Sequence, residues 1–169
     1  MSYIAGALGV CVAAFYYMMM VRINQRAVRI NMTNNIMQSF ISEEAQRRWF
    51  ELLNMKWSDY DDFERKYGSD SNLDNAAKRQ AVFYFFEILG NQLRNGYVDR
   101  ETIYNTTNIG VSWTWAKFKP VIEENRRRYS GEDAMKGFEY LAGEMLRMKV
   151  ERDPSYRIPE NFAEYVPDK

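Results

Sequence analysis

Residues 73–95 read LDNAAKRQAVFYFFEILGNQLRN, and this stretch decides the fold. Its large apolar residues recur at spacings of three and four, at Val82, Phe85, Phe86, Leu89 and Leu93. That period is typical of an α-helix with one buried face. Phe83, Tyr84 and Ile88 extend the apolar arc almost all round the helix, so we expect this to be the central and most buried helix.

The flanking segments show the same helical period and carry the residues that begin and end helices. Ser42, Ser58 and Asp99 are predicted to cap helix N-termini, because a side-chain oxygen there accepts a free backbone N–H. Gly68 and Gly96 are placed to end helices. No segment alternates as a β-strand would. The sequence therefore predicts an all-α domain over residues 42–151, a bundle of about five to six helices.

The C-terminal part of the chain holds the last two predicted helices and a tail. One helix covers residues 111–129 and contains Pro120, so we expect a kink or a break there. The last helix covers residues 132–151. Three prolines then interrupt the pattern, and residues 152–169 are predicted to be an extended tail whose aromatic side chains lie on the domain.

The first 21 residues contain no charged side chain. At ~1.5 Å per residue, a helix of this length reaches about 31 Å, close to the hydrocarbon thickness of a bilayer. Unlike a secretory signal peptide, the run is followed by positive charge instead of being preceded by it. We therefore expect a retained transmembrane anchor over residues 1–21; a cleaved signal peptide and a buried helix of a water-soluble protein are the alternatives.

Residues 22–41 continue the helical pattern without glycine or proline and are predicted to form a stalk. Arg22, Arg26 and Arg29 make a basic collar at its start. Because basic residues beside a transmembrane helix stay on the cytoplasmic side, we expect the N-terminus outside the cell membrane and the helical domain in the cytoplasm.

One face of the stalk is apolar, since Met32, Ile36 and Phe40 recur every four residues. An apolar stripe of this kind has to be covered. The domain itself, a second copy of the chain or another subunit are the possible partners, and these three residues are candidate interaction residues.

Composition excludes several classes of function. The chain holds 23 basic and 23 acidic residues, and the part after residue 42 has 20 basic against 23 acidic ones, which does not suit a nucleic-acid binder. There is no histidine, and the one cysteine, Cys11, lies in the apolar run. The commonest general base, metal ligand and thiol nucleophile are therefore missing from the domain. We expect no cofactor, no metal site and no catalytic residue, which favours a protein that is not an enzyme.

Two further groups are candidate interaction residues. Trp113 and Trp115 lie two positions apart, so they cannot face the same side of one helix. Either both belong to the core, or Trp113 is an exposed anchor for a partner. Arg126, Arg127 and Arg128 form either a salt-bridged, solvated face or a patch that contacts a protein partner or lipid headgroups.

Four groups of residues between Trp49 and Met148 carry a family resemblance. They are Tyr60-Asp61-Asp62-Phe63; Phe85-Phe86-Glu87 with Gly90 and Gly96; Trp115 with Pro120, Ile122 and Arg126; and Phe138-Glu139-Tyr140-Leu141. In these groups the chain resembles a family of small helical archaeal and bacterial proteins that is a domain of unknown function. Because its members often have one N-terminal membrane helix, the resemblance implies a helical fold and a membrane tether. It implies no activity.

These features favour a single-pass membrane protein that acts as a non-enzymatic interaction module, either as an accessory subunit of a larger membrane assembly or by self-association. The expected partners are the lipid bilayer and a protein, and not nucleic acid. Two alternatives stay open. One is a small-ligand receptor or enzyme with a helical pocket, and the other is a sensor of anionic lipid surfaces that uses its arginines.

Overall fold

The computed structural model describes residues 2–162, except for the side chains of residues 2–8, 26, 29, 32, 33, 36 and 39. In this range the chain forms seven α-helices and a short 3-10 turn, and no strand. The elements are α1 Ser2–Phe40, α2 Glu43–Asn54, α3 Tyr60–Tyr67, α4 Leu73–Arg94, α5 Arg100–Thr107, α6 Gly110–Tyr129, α7 Lys136–Arg152 and the 3-10 turn Glu160–Phe162. The predicted all-α class is confirmed, and six helices follow α1.

The chain divides into two compact units. The first ends at Ile36, and the second begins at Met37, inside the segment that we predicted to be a stalk. We predicted a transmembrane helix over residues 1–21. Among the described residues, however, no helix combines the length and the apolar character that a membrane crossing requires, so the structure does not support that prediction.

Short polar side chains begin four helices of the second unit. Ser42, Asp59, Asn72 and Asp99 each accept the backbone N–H three residues further on, at distances of 2.8–3.3 Å. Each bond satisfies a donor that has no partner within its helix. For α3 we predicted Ser58 as the cap, and this is wrong by one residue. The Ser58 hydroxyl instead donates to the carboxylate of Asp59, at 3.2 Å.

Helix α4 packs one face into the core of the second unit. Its buried large apolar side chains are Val82, Phe83, Phe86, Leu89 and Leu93. The apolar arc is not buried all round as we expected, because Tyr84 is 51% exposed and Ile88 is 52% exposed. At 100° per residue, both lie roughly opposite Phe86. Helix α4 is therefore central but has one side in contact with solvent.

Helices α4 and α7 approach each other closely at two glycines. A Cβ atom on Gly90 would lie 1.9 Å from the carbonyl oxygen of Gly137, and a Cβ atom on Gly137 would lie 2.4 Å from the carbonyl oxygen of Glu87. Only glycine leaves room for such an approach. Beside it, the Glu87 carboxylate accepts the backbone N–H of Phe138 at 2.8 Å. We call this contact the α4/α7 seam, and it fixes the first turn of α7.

We predicted a kink or a break at Pro120; helix α6 runs through it from Gly110 to Tyr129, so there is no break. Proline in a helix removes the hydrogen bond to the carbonyl four residues earlier, and its ring crowds that carbonyl. The fully buried ring of Phe118 anchors the helix next to this point. Packing therefore keeps the helix continuous despite the missing bond.

Helix α7 begins at Lys136, four residues later than predicted. Met135 has a φ angle of 59°, in the left-handed region, and a right-handed helix cannot extend back through it. After α7 the structure describes the predicted tail as far as Phe162, with residues 163–169 outside the described residues. The described part of the tail contacts α6.

Candidate functional site

In the first unit, helix α1 presents an apolar surface. All side chains from residue 9 to residue 20 are exposed, and Val10, Val12 and Tyr17 are 68–70% exposed. Arg22, at the start of the predicted collar, is exposed too. The other predicted residues of this helix have side chains outside those that the structure describes: Arg26, Arg29, Met32 and Ile36.

Phe40, the last residue of the predicted apolar stripe, is buried in the second unit. Its ring stacks on Phe85 with the centroids 4.5 Å apart and an interplanar angle of 9°. Trp49 lies on another side, at a centroid distance of 5.2 Å. Of the partners that we considered for this stripe, the domain itself therefore covers Phe40.

The two tryptophans of α6 have separate environments. Trp115 is buried, and its ring meets that of Phe138 edge to face at 5.1 Å. The indole N–H of Trp113 donates to the Tyr156 hydroxyl at 2.6 Å, and its ring stacks on Phe162 at 5.5 Å. The C-terminal segment of the same chain thus lies against Trp113, whose side chain is half-buried, and a partner contact through Trp113 stays a prediction.

The three consecutive arginines at the end of α6 are held by acids of the same domain. Arg126 Nη2 lies 3.0 Å from Glu139 Oε2. Arg127 and Arg128 share Glu124 at 2.5 Å and 2.7 Å, and their hydrogen bonds lower the pKa of Glu124 to about 2. These ion pairs favour the salt-bridged interpretation. A partner contact through the arginines stays a prediction.

A cleft of about 210 Å³ opens between α6 and α7. Its apolar lining consists of Trp115, Ala116, Ala142, Leu146 and Ile158. Beside it, the Ser112 hydroxyl donates to the carbonyl of Ala142 at 2.7 Å and links the two helices. Ile158 comes from the docked C-terminal segment, so this segment completes the cleft.

Two charged side chains also line the cleft. Lys119 is 6% exposed, and its Nζ lies 3.3 Å from Glu123 Oε1. The Glu139 carboxylate accepts hydrogen bonds from Lys136 at 3.1 Å and from Arg126 at 3.0 Å. Burial raises the pKa of Glu139, but these two hydrogen bonds outweigh burial and leave the pKa below its usual value. Glu139 is thus held by two cations, and Lys119 is a buried lysine that is also ion-paired.

Lys119 and Gly143, which also lines the cleft, were not among the predicted site residues. The sequence does contain a signal for both. Lys119 follows Trp115 by four residues, which places a cation on the buried face of a helix. Gly143 lies in the middle of the last helix, where glycine is unfavourable and calls for a reason.

Over its described residues, the chain is thus an all-α protein with a long N-terminal helix and a compact helical domain that has a cleft between α6 and α7. It belongs to the family described as Domain of unknown function (DUF4760), which matches residues 3–145. The predicted resemblance to an uncharacterised domain family is confirmed. No curated protein and no solved structure matches the chain.

Proposed function

We propose that this protein is a single-pass membrane protein that acts as a non-enzymatic interaction module, as an accessory subunit of a membrane assembly. The exposed apolar surface of α1 over residues 9–20 carries this proposal. Folded proteins rarely expose a contiguous apolar surface to water. A helix that is apolar on all sides is either buried in protein or lies in a membrane.

The charge pattern along α1 supports the same proposal. No charged side chain occurs before Arg22, so the uncharged run is 21 residues long, about the length that a bilayer requires. Three arginines follow within residues 22–29, where they would meet anionic headgroups. By the positive-inside rule, this asymmetry directs the helical domain to the cytoplasmic side.

Small residues on α1 offer a contact for a second helix. Gly9 and Ala13 lie one turn apart and are exposed, and a Cβ atom on Gly9 would meet nothing within 4 Å. Inside a bilayer, helices associate where small residues let their backbones approach closely. These small residues support an interaction of the protein with a partner through α1 as well as through the helical domain.

The tether is tested by extracting native membranes with alkaline carbonate, which releases peripheral proteins. We expect the full chain to stay with the membrane. Val12→Arg places a cation within the uncharged run, at a cost of about 2.5–3.5 kcal/mol, and should release a large fraction. Val28→Arg is the matched control, because Val28 is also exposed but lies beyond Arg22. Release of the wild type, or equal release of both variants, would contradict the tether.

The interaction is tested by crosslinking in native membranes, followed by native mass measurement in detergent. We expect an oligomer or a co-purifying protein. Gly9→Leu should reduce the association, whereas Val10→Leu, which changes the neighbouring side of the helix, should leave it intact. A strict monomer without any co-purifying protein would contradict the proposal.

A further inference from the structure

We propose that the solvent-facing side of α4 pairs with the same side of a second copy of this chain, with the two helices antiparallel. The surface consists of Ala77, Ala81, Tyr84 and Ile88, and we call it the outer α4 stripe. This pairing deepens the interaction module proposed above, because it names the partner and the surface.

The outer α4 stripe belongs to an exposed and uncharged side of the helix. Between Asp74 and Arg94, the exposed residues of α4 are Ala77, Gln80, Ala81, Tyr84 and Ile88. The side of a helix that faces water usually carries charged residues, and 27% of this chain is charged. Tyr84 and Ile88 nevertheless leave about half of their large apolar side chains uncovered. This side of α4 therefore has the character of a contact surface.

The charged residues beside the stripe are bonded to neighbouring helices. The ammonium of Lys78 lies 3.0 Å from a carboxylate oxygen of α2. Arg79 donates to the last carbonyl of α3 at 2.7 Å, and Glu87 accepts a backbone N–H of α7 at 2.8 Å. A partner can therefore cover the stripe without burying an unpaired charge.

The spacing of the stripe is that of a coiled-coil seam. Its residues follow each other by four, three and four positions, the period that keeps one side of a helix against a partner helix. The core side of α4 repeats this spacing with Val82, Phe86, Leu89 and Leu93, which are all buried. Helix α4 thus has two seams. The domain covers the inner one, and the outer α4 stripe is the second.

The sizes of the side chains fit an antiparallel pair. A two-fold axis midway between Ala81 and Tyr84 sets Ala81 opposite the partner's Tyr84 and Ala77 opposite the partner's Ile88. Each large side chain then meets a small one, as close helix packing requires. A parallel pair would set tyrosine against tyrosine and leave a gap beside the alanines. The stripe is complementary to itself, which favours a second copy over a different protein.

The area of the stripe indicates where the pair forms. From Ala77 to Ile88 the helix rises about 16 Å, so the contact buries on the order of 400 Å² per copy, against about 800 Å² per partner in a stable complex. The pair is therefore weak between free chains. Linkage raises the effective concentration of two partners to the millimolar range. This step rests on the proposed tether, since α1 would hold both copies in one membrane.

The test crosslinks full chains in intact cells before any fractionation. Two tagged copies are expressed together, one with Ala77→Cys and the other with Ile88→Cys, and both carry Cys11→Ala to remove the native thiol. A short, membrane-permeant bis-maleimide joins thiols that lie close together. The pair sets position 77 of one copy against position 88 of the other, whereas two positions 77 lie about 16 Å apart along the helix. We therefore expect about fivefold more crosslinked dimer from this mixed pair than from two copies with Ala77→Cys.

A charge on the stripe should disrupt the pairing. Tyr84→Glu in both copies buries a carboxylate against the partner and should lower the yield of the mixed pair about fivefold. Tyr129→Glu is the control, because Tyr129 is 74% exposed but lies on α6. Circular dichroism checks that both variants are folded. An equal yield from the two variants would overturn the proposal.

A reversal of sizes tests the register. Ala81→Tyr sets tyrosine against the partner's Tyr84 and should lower the yield of the mixed pair, because overpacking separates the helices. Adding Tyr84→Ala reverses the small and large positions across the axis and should restore the yield. If the double variant stays as low as the single one, the antiparallel register is wrong.

The crosslinked product and carbonate extraction of the same cells test separate proposals. The pairing is overturned if the mixed pair gives no more product than two copies with Ala77→Cys, whether or not carbonate releases the chain. It is also overturned if the stripe crosslinks to a different protein and not to a second copy. Release of the chain with the expected product present contradicts the tether alone.

Discussion

Replacing Gly90 by alanine tests the α4/α7 seam. The new Cβ atom would lie 1.9 Å from the carbonyl oxygen of Gly137, and real Cβ contacts under 3.0 Å essentially never occur. The two helices would therefore have to separate by about an ångström. The fully buried rings of Phe86 and Phe138, whose centroids are 5.0 Å apart, pack between the same helices and would lose contact.

The expected cost follows from two opposing effects. Overpacking a core costs about 1–3 kcal/mol, and we take about 3 kcal/mol because the collision is with backbone and not with a flexible side chain. Alanine returns about 1 kcal/mol of helix propensity. The free energy of unfolding should therefore fall by about 2 kcal/mol, which lowers Tm by roughly 6–10 °C for a domain of this size.

The assay is denaturant unfolding of the full chain followed by tryptophan fluorescence. All four tryptophans lie between residues 49 and 115, so the signal reports the second unit alone. Gly143→Ala is the matched control, because its Cβ atom meets nothing within 4 Å and should stabilise α7 by up to about 1 kcal/mol. If Gly90→Ala is as stable as Gly143→Ala, the seam is not as close as we describe and the reasoning fails.

Three further predictions concern single side chains. Thr114→Val removes the buried hydroxyl that accepts the indole N–H of the half-buried Trp49 at 2.7 Å. The free energy of unfolding in urea should therefore fall by about 1–3 kcal/mol, and an unchanged midpoint would contradict this bond. Phe40→Ala should cost about 3–5 kcal/mol in the same assay, since Phe40 is 5% exposed, and a cost near zero would place it outside the core. Burial raises the pKa of Tyr60 from its ordinary value of 10.0 to about 12, and its neutral phenol donates a hydrogen bond to Asn125 at 2.5 Å. The stability that this neutral phenol contributes is therefore complete below pH 10 and is lost as the pH rises towards 12. Tyr60→Phe should flatten this part of the stability profile against pH, and an identical profile in both proteins would refute the assignment.

The helices were predictable because their signals are local. Asp99 occupies an N-cap, which its carboxylate favours, and Gly96 has a φ angle of 69°, which glycine adopts easily because it has no Cβ atom. The exposure of Tyr84 and Ile88 was not predictable, because the apolar arc of one helix does not reveal how many neighbours cover it. Nor was the late start of α7, since the left-handed residue is Met135 and not a glycine or asparagine.

The candidate site was predictable only in part. The period of the helix predicts that Trp113 and Trp115 face different sides. It does not predict that Trp113 contacts Tyr156, which is 43 residues away in the chain. Lys119 was missed because a lysine is usually a surface residue, whatever its neighbours. Its burial follows from the packing of α6 on α7, and that packing depends on residues far apart in the sequence.

The α4/α7 seam also sets an order of events during synthesis. Gly90 and Gly137 are 47 positions apart, and at about 5–20 residues per second the ribosome needs several seconds to deliver the second after the first. During that interval the nascent α4 lacks the partner that covers Phe86 from one side. Helix α2 has already been made, and Trp49 from it can shelter Phe86 at a centroid distance of 6.1 Å. The order of the helices along the chain therefore shortens the time for which a newly made aromatic face is open to aggregation.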